Sequence, residues 1–231
     1  DLGTVAEPRS VSIDDESLRT MQAIGLHEEV LRDVVPGYGV HYFTRPGGRC
    51  IARVEPSLAE YGFPRRNAFR QPMLEAALLH GLSRHASVAV LFGHELESFK
   101  QDAQGVVATL CRPDGSVLQV AARHLAACDG GRSTVRGLCG IRMRGSSFAA
   151  RWLVLDTVED DDPVRQTRAY CDAARPVVDL PGPHRTRRYE FLLKPDERDE
   201  DMLQPDRIRA LLQPLRGDRE THIVQIGRAH V

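Results

Sequence analysis

The stretch "LAACDGGRSTVR", residues 125–136, decides how this chain is to be read. An apolar run ends at Asp129, two glycines follow, and a polar segment with helical character begins. A buried strand over 123–128 that stops at a carboxylate and turns through glycine into a helix brings backbone N–H groups close to a ribose or phosphate. The same layout occurs as a strand-turn-helix with no ligand, in which Asp129 caps the following helix. Both readings are open at this point, and one group can serve both.

Working outward, "GVVATLCRPDGSVLQVAARHLAAC" holds two alternating runs around Pro113-Asp114-Gly115, which predicts a hairpin, with proline fixing φ and glycine turning the chain. "SVAVLF" (87–92) reads as a short strand before it. Residues 71–85, "QPMLEAALLHGLSRH", predict a helix with Pro72 in the first turn. Leu74, Ala77, Leu78, Gly81 and Leu82 form one continuous buried stripe at helical spacing. Residues 14–34 predict a helix broken at Gly25, with Ser12 and Asp15 resembling a capping box. After 141 the runs "RWLVLDTV", "TRAYCDA", "RPVVDL" and "RRYEFLLK" predict an antiparallel sheet. "PDRIRALLQPL" predicts a helix on Ile208, Leu211, Leu212 and Leu215, and "THIVQ" a further strand. Early alternation and late strands give an α/β nucleotide-type domain joined to a β-rich second domain.

The 231 residues are 42% apolar, enough for one or two cored domains, and the net charge is −1. That balance points away from a nucleic-acid partner and from a membrane surface. The 31 basic residues are nearly all arginine, a mark of a high-GC genome. No apolar run approaches the roughly 20 residues of a membrane span. Five cysteines without C-x-x-C spacing read as reduced, buried thiols of a cytoplasmic protein. The nine histidines show no metal-ligand spacing, so no metal site is expected.

A dinucleotide site needs G-x-G-x-x-G after its first strand. Gly37 and Gly39 in "PGYGVHYF" lack a third glycine in register, and no strand precedes them. Together with a first residue other than Met, this leads to the expectation that the chain is an internal fragment. The last six residues, "IGRAHV" (226–231), coincide with one reading frame of a common sequencing adapter and are expected to be read-through.

Five segments carry a resemblance: "PRSVSIDDESLRTMQAIGL", "GRCIARVEP", "YGFPRRNAFRQPMLEAALLHGLSR", "LAACDGGRSTVR" and "RRYEFLLKP". In this order they resemble the 3-(3-hydroxyphenyl)propionate hydroxylases, class A flavoprotein aromatic monooxygenases of para-hydroxybenzoate hydroxylase-like fold. The resemblance runs from Pro8 to about Gln225. It implies a partial FAD-binding Rossmann-like domain (1–37 and 68–140) interleaved with a β-rich substrate domain (38–67 and 141–225). It also implies FAD as cofactor, NADH or NADPH as reductant, and a small phenolic acid and molecular oxygen as partners. In such enzymes a flavin C4a-hydroperoxide hydroxylates the ring next to its existing hydroxyl, in a site that excludes water. A homo-oligomer is compatible with this reading.

By the same resemblance, Arg9 matches an arginine that reaches the FAD diphosphate, a task suited to a forked guanidinium. Gln71 matches a glutamine that contacts the cofactor near the helix it opens. Asp129 and Gly130 match a D-G motif serving FAD and the nicotinamide cofactor, completed by Ser133 and Arg136. The phosphate loop would lie upstream and a second, G-D motif past residue 225. Arg65 and Arg66 are read as a surface or interface pair, with a substrate carboxylate as the alternative. The basic "HRTRRYE" (184–190) is read as a charged strand edge. Of Tyr38, Tyr42, Phe43, Tyr61 and Phe63, most are expected in the core, with one or two lining the ring pocket. No acid–base pair or substrate-binding residue can be assigned. Competing readings are a hydroxylase of another phenol or a polyketide, and a flavin-free, inactive fragment or binding module.

Overall fold

The computed structural model describes residues 2–56, 59–146 and 148–230. In chain order the elements are β1 (Ser12–Asp14), α1 (Asp15–Ala23), α2 (His27–Leu31), β2 (Val34–Val35), β3 (Val40–Phe43), β4 (Cys50–Val54), β5 (Arg66–Phe69) and α3 (Gln71–Leu82). Then come β6 (Glu95–Asp102), β7 (Gly105–Cys111), β8 (Val117–Ala122) and α4 (Thr134–Leu138). The last are β9 (Arg151–Val158), β10 (Thr167–Tyr170), β11 (Val177–Pro181), β12 (Arg187–Leu192), α5 (Asp199–Met202), α6 (Pro205–Arg216) and β13 (His222–His230). The chain divides into two compact units, a larger one over 5–84 and from 148 onward, and a smaller one over 2–4 and 85–146.

The larger unit is built on a seven-stranded sheet in the order β13-β9-β12-β11-β10-β3-β4. Neighbours run antiparallel except β10 and β3, which are parallel. Strand periodicity puts Leu153, Leu155, Tyr189 and Phe191 on one face, where Ile208 and Leu212 of α6 cover them. Each such buried side chain contributes roughly 1.5–3 kcal/mol. A second core gathers Ile13, Leu18, Leu26, Val30, Phe63, Phe69 and Ala77 where α1–α3 meet β5. Here α3 comes so close that a Cβ on Gly81 would lie 2.7 Å from Leu26 Cδ1, so the helical glycine is a packing choice. The small sheet β1-β5-β2 lines this core.

The smaller unit is a meander, β6-β7-β8. Its expected turn forms: Gly115 N donates to the Arg112 carbonyl at 2.9 Å, and Asp114 Oδ1 accepts from Ser116 N at 2.9 Å.

Several expectations are corrected. Residues 87–92 and 123–128 are not strands, because an apolar run becomes a strand only when a ladder partner lies alongside, and none does among the described residues. Val88, Val90, Leu91 and Leu125 are exposed accordingly. The cap of α1 is Asp14, whose Oδ1 accepts from Ser17 N at 2.8 Å, while Ser12 lies in β1. Leu82 is exposed, so the buried stripe of α3 ends one residue earlier, at Gly81. None of the five cysteines is buried. The basic run at 184–190 is no edge: β12 lies between β9 and β11, and Arg187 and Arg188 are buried.

Arg187 belongs to a buried network of charges at one end of the large sheet. Asp179, wholly buried, accepts from Arg168 Nε at 2.7 Å and from Arg187 Nη1. Arg187 Nε also donates to Asp160 at 3.2 Å, and Arg216 of α6 reaches Asp160 and Tyr189. Burial pushes the Asp179 carboxyl upward against the pull of Arg187 and Arg168.

Candidate functional site

The larger unit holds Arg9 and Gln71 together. Gln71 is the first residue of α3, where the extended Arg70 leaves its side chain free to reach back along the chain. Gln71 Oε1 accepts from Arg9 N at 3.0 Å and from Ser10 N at 2.9 Å. Gln71 Nε2 donates to Glu75 Oε1 at 2.7 Å, and Glu75 Oε2 accepts from Val5 N at 3.0 Å. Two side chains one helical turn apart thus pin residues 5–10 along the opening of α3. From the other side, Arg188 Nη1 donates to the Arg9 carbonyl at 3.3 Å and Nη2 to the Pro8 carbonyl. The main chain of Arg9 is held at both its N–H and its C=O, whereas its guanidinium makes no hydrogen bond or ion pair among the described residues. A fixed backbone carrying a guanidinium fork of this kind can offer two parallel N–H groups to an anionic oxygen pair.

The smaller unit holds Asp129, Gly130, Ser133 and Arg136. Gly130 takes a left-handed φ of +74°, which a side chain would strain, and no neighbour crowds it. Ser133 caps α4, its Oγ accepting from Arg136 N at 3.0 Å. Asp129 Oδ2 accepts from Val135 N at 3.1 Å. The Ser133 side chain, then the Val135 N–H, hold the Asp129 carboxyl below the usual range, so it is anionic at neutral pH. The Arg136 guanidinium folds back onto the Gly131 carbonyl at 2.6 Å. The turn is therefore self-supporting, and the capping role expected for Asp129 is filled.

Arg65 pairs with Glu60 at 3.0 Å, and the Arg66 guanidinium sits 4.8 Å from the centre of the Tyr38 ring, so both are engaged locally. Tyr38 and Phe63 are buried, Phe43 packs on Tyr170, and Tyr61 is exposed beneath Arg19. Sequence reasoning missed Glu75, Arg188 and Asp156. The i,i+4 spacing of Gln71 and Glu75 was a usable signal. The partnership of Arg188 with Asp156, 32 residues away, left none.

The family whose description is "FAD binding domain" matches residues 2–226. A 3-(3-hydroxy-phenyl)propionate/3-hydroxycinnamic acid hydroxylase of Comamonas testosteroni is 40% identical over 211 residues, 91% of this chain and 36% of that protein. Its counterpart in Klebsiella pneumoniae is 40% identical over 213 residues, 91% of this chain and 38% of that protein. The chain thus spans a little over a third of these relatives. Among solved structures, the flavin-dependent monooxygenase PieE, in complex with FAD and substrate, superposes with a TM-score of 0.85 at 20% identity, covering 100% of this chain and 44% of that one. That likeness establishes the mixed α/β fold.

Proposed function

Because this chain belongs to the FAD-binding-domain family, we propose that it is part of an FAD- and NAD(P)H-dependent monooxygenase acting on a phenolic ring. The substrate favoured by the relatives' names is 3-(3-hydroxyphenyl)propionate, converted to the 2,3-dihydroxy product. The observation that carries the reading is Arg9: Gln71 and Arg188 fix its backbone, and its guanidinium, without a partner among the described residues, is available to the FAD diphosphate. Held by the Arg9 guanidinium and the Asp129–Gly130 turn, FAD would supply the redox chemistry with NAD(P)H and oxygen. The chain's own groups bind and orient. Gln71 keeps the Arg9 segment against α3; Asp129 and Gly130 present an anion and an open backbone at the turn before α4; Ser133 and Arg136 keep that turn in shape. The division into FAD-binding (1–37, 68–140) and substrate (38–67, 141–225) parts is supported by β3 and β4 sharing a sheet with β9–β12. A cytoplasmic setting agrees with five free thiols and with the lack, among described residues, of a helix long and apolar enough to cross a membrane.

The test uses the full-length gene product. It should purify yellow and oxidise NADH or NADPH with 3-(3-hydroxyphenyl)propionate, giving a catechol identified by mass. Arg9→Ala should weaken FAD binding by about 1.5–3 kcal/mol, the value of hydrogen bonds to charged groups. Colourless protein that ignores added FAD would overturn the reading. Turnover confined to other phenols would correct the substrate alone.

A further inference from the structure

The geometry points to Arg188 as a positioning residue: held by Asp156, it sets the Pro8–Arg9 backbone so that the Arg9 guanidinium is presented to the flavin diphosphate. The inference rests on the flavin reading and deepens it.

Arg188 lies on β12 directly across from Asp156 on β9. Its Nε donates to Asp156 Oδ1 at 2.8 Å and its Nη2 to Asp156 Oδ2 at 2.8 Å, a two-point fork that fixes the plane of the guanidinium. The outward N–H groups then meet two successive carbonyls, Pro8 and Arg9, 180 and 179 residues away in the chain. Two carbonyls held by one planar group fix the orientation of the intervening peptide, and Gln71 fixes the next N–H groups from the opposite side. Glu190, two residues along β12, stands 3.9 Å from Nη1, beyond hydrogen-bond length, so the fork is not drawn away from its carbonyls.

Stability alone gives little reason to bury this pair, because apolar side chains of similar volume usually serve a core as well or better. What an apolar pair could not do is aim two N–H groups at a loop. Lysine could not either, since its single ammonium cannot hold a carboxylate in two places and two carbonyls at set angles. The sheet that would carry the substrate is thereby tied to the arginine that would carry the cofactor.

The experiment is a double-mutant cycle in the full-length protein, read as the FAD dissociation constant of deflavinated enzyme by flavin fluorescence. Arg188→Lys, which keeps the charge beside Asp156, is the main variant, and Asp156→Asn, which slackens the fork, is the second. Each should weaken FAD binding at least about tenfold when Arg9 is present and less than about twofold in an Arg9→Ala background, because neighbours acting through one another are non-additive. Equal losses in both backgrounds would mean general damage and overturn the inference, as would wild-type affinity in both variants. Loss of flavin from the unaltered protein is seen before any variant is made, and would overturn the flavin reading itself.

Discussion

Replacing Asp179 with asparagine should cost about 3 kcal/mol of folding stability, at the lower end of what breaking a buried ion pair costs. Asp179 is 0% exposed and accepts from two guanidinium groups, Arg168 Nε at 2.7 Å and Arg187 Nη1. Hydrogen bonds to charged groups contribute about 1.5–3 kcal/mol each. The loss is not the full sum, since Arg168 keeps Asp162 and Arg187 keeps Asp160 and the Val164 carbonyl at 2.6 Å. Asparagine offers one acceptor, and its amide turns N–H toward the N–H of the other arginine. The control is Asp206→Asn, which removes a partner of Arg209 at 2.8 Å whose own side chain is 92% exposed. Here less than about 0.5 kcal/mol is expected, because water screens the pair. Urea unfolding followed by the fluorescence of Trp152, the single tryptophan and a residue of the same sheet, measures both. A loss under about 1 kcal/mol at Asp179, or equal losses at the two sites, would refute the claim that burial sets the cost.

Gln71→Ala removes the acceptor shared by Arg9 N and Ser10 N, and should speed amide exchange at those two residues by about fivefold to tenfold, about 1 kcal/mol for partly exposed bonds; unchanged exchange would discount the pinning. Glu197 is held below its ordinary 4.5 first by Arg175, then by the Lys194 N–H against partial burial. It contributes stability above that value that is lost as pH falls through the folded one, so Glu197→Gln should flatten the acid side of a plot of Tm against pH. Glu190 has the opposite sign: burial pushes its carboxyl up, with Asp156 adding to the rise, and unlike Asp179, which accepts from two guanidinium groups, it stands 3.9 Å from Arg188, beyond hydrogen-bond length. Its contribution is present below the ordinary carboxylate range and is lost as pH rises through the folded value. Glu190→Gln should therefore raise Tm relative to the parent near neutral pH, and a lower Tm there would count against the buried-carboxyl account.

The strands after residue 150 and helix α6 were legible because their alternation and their 3,4 spacing match the faces they bury. Arg9 and Gln71 were singled out by family resemblance alone, and the structure adds that Gln71 holds the Arg9 and Ser10 N–H groups. What stayed hidden was pairing across distance. "SVAVLF" carries strand chemistry but has no ladder partner among the described residues, and "RRYEF" carries surface chemistry in an interior strand. A charged residue is read as exposed unless its counter-charge is known, and Asp156, Asp160 and Asp179 sit in other segments.

The parallel junction of β3 with β10 bears on how the protein is made. The strands meet through residues 127 apart, with Gly39 N donating to Gln166 Oε1 at their mouth. At synthesis rates of about 5–20 residues per second, β3 waits roughly 6–25 s on the ribosome for its partner. Throughout that interval a row of amide groups stands open on one side, inviting stray chains to dock. The same pairing that closes the finished sheet thus leaves β3 without its neighbour until the C-terminal strands emerge.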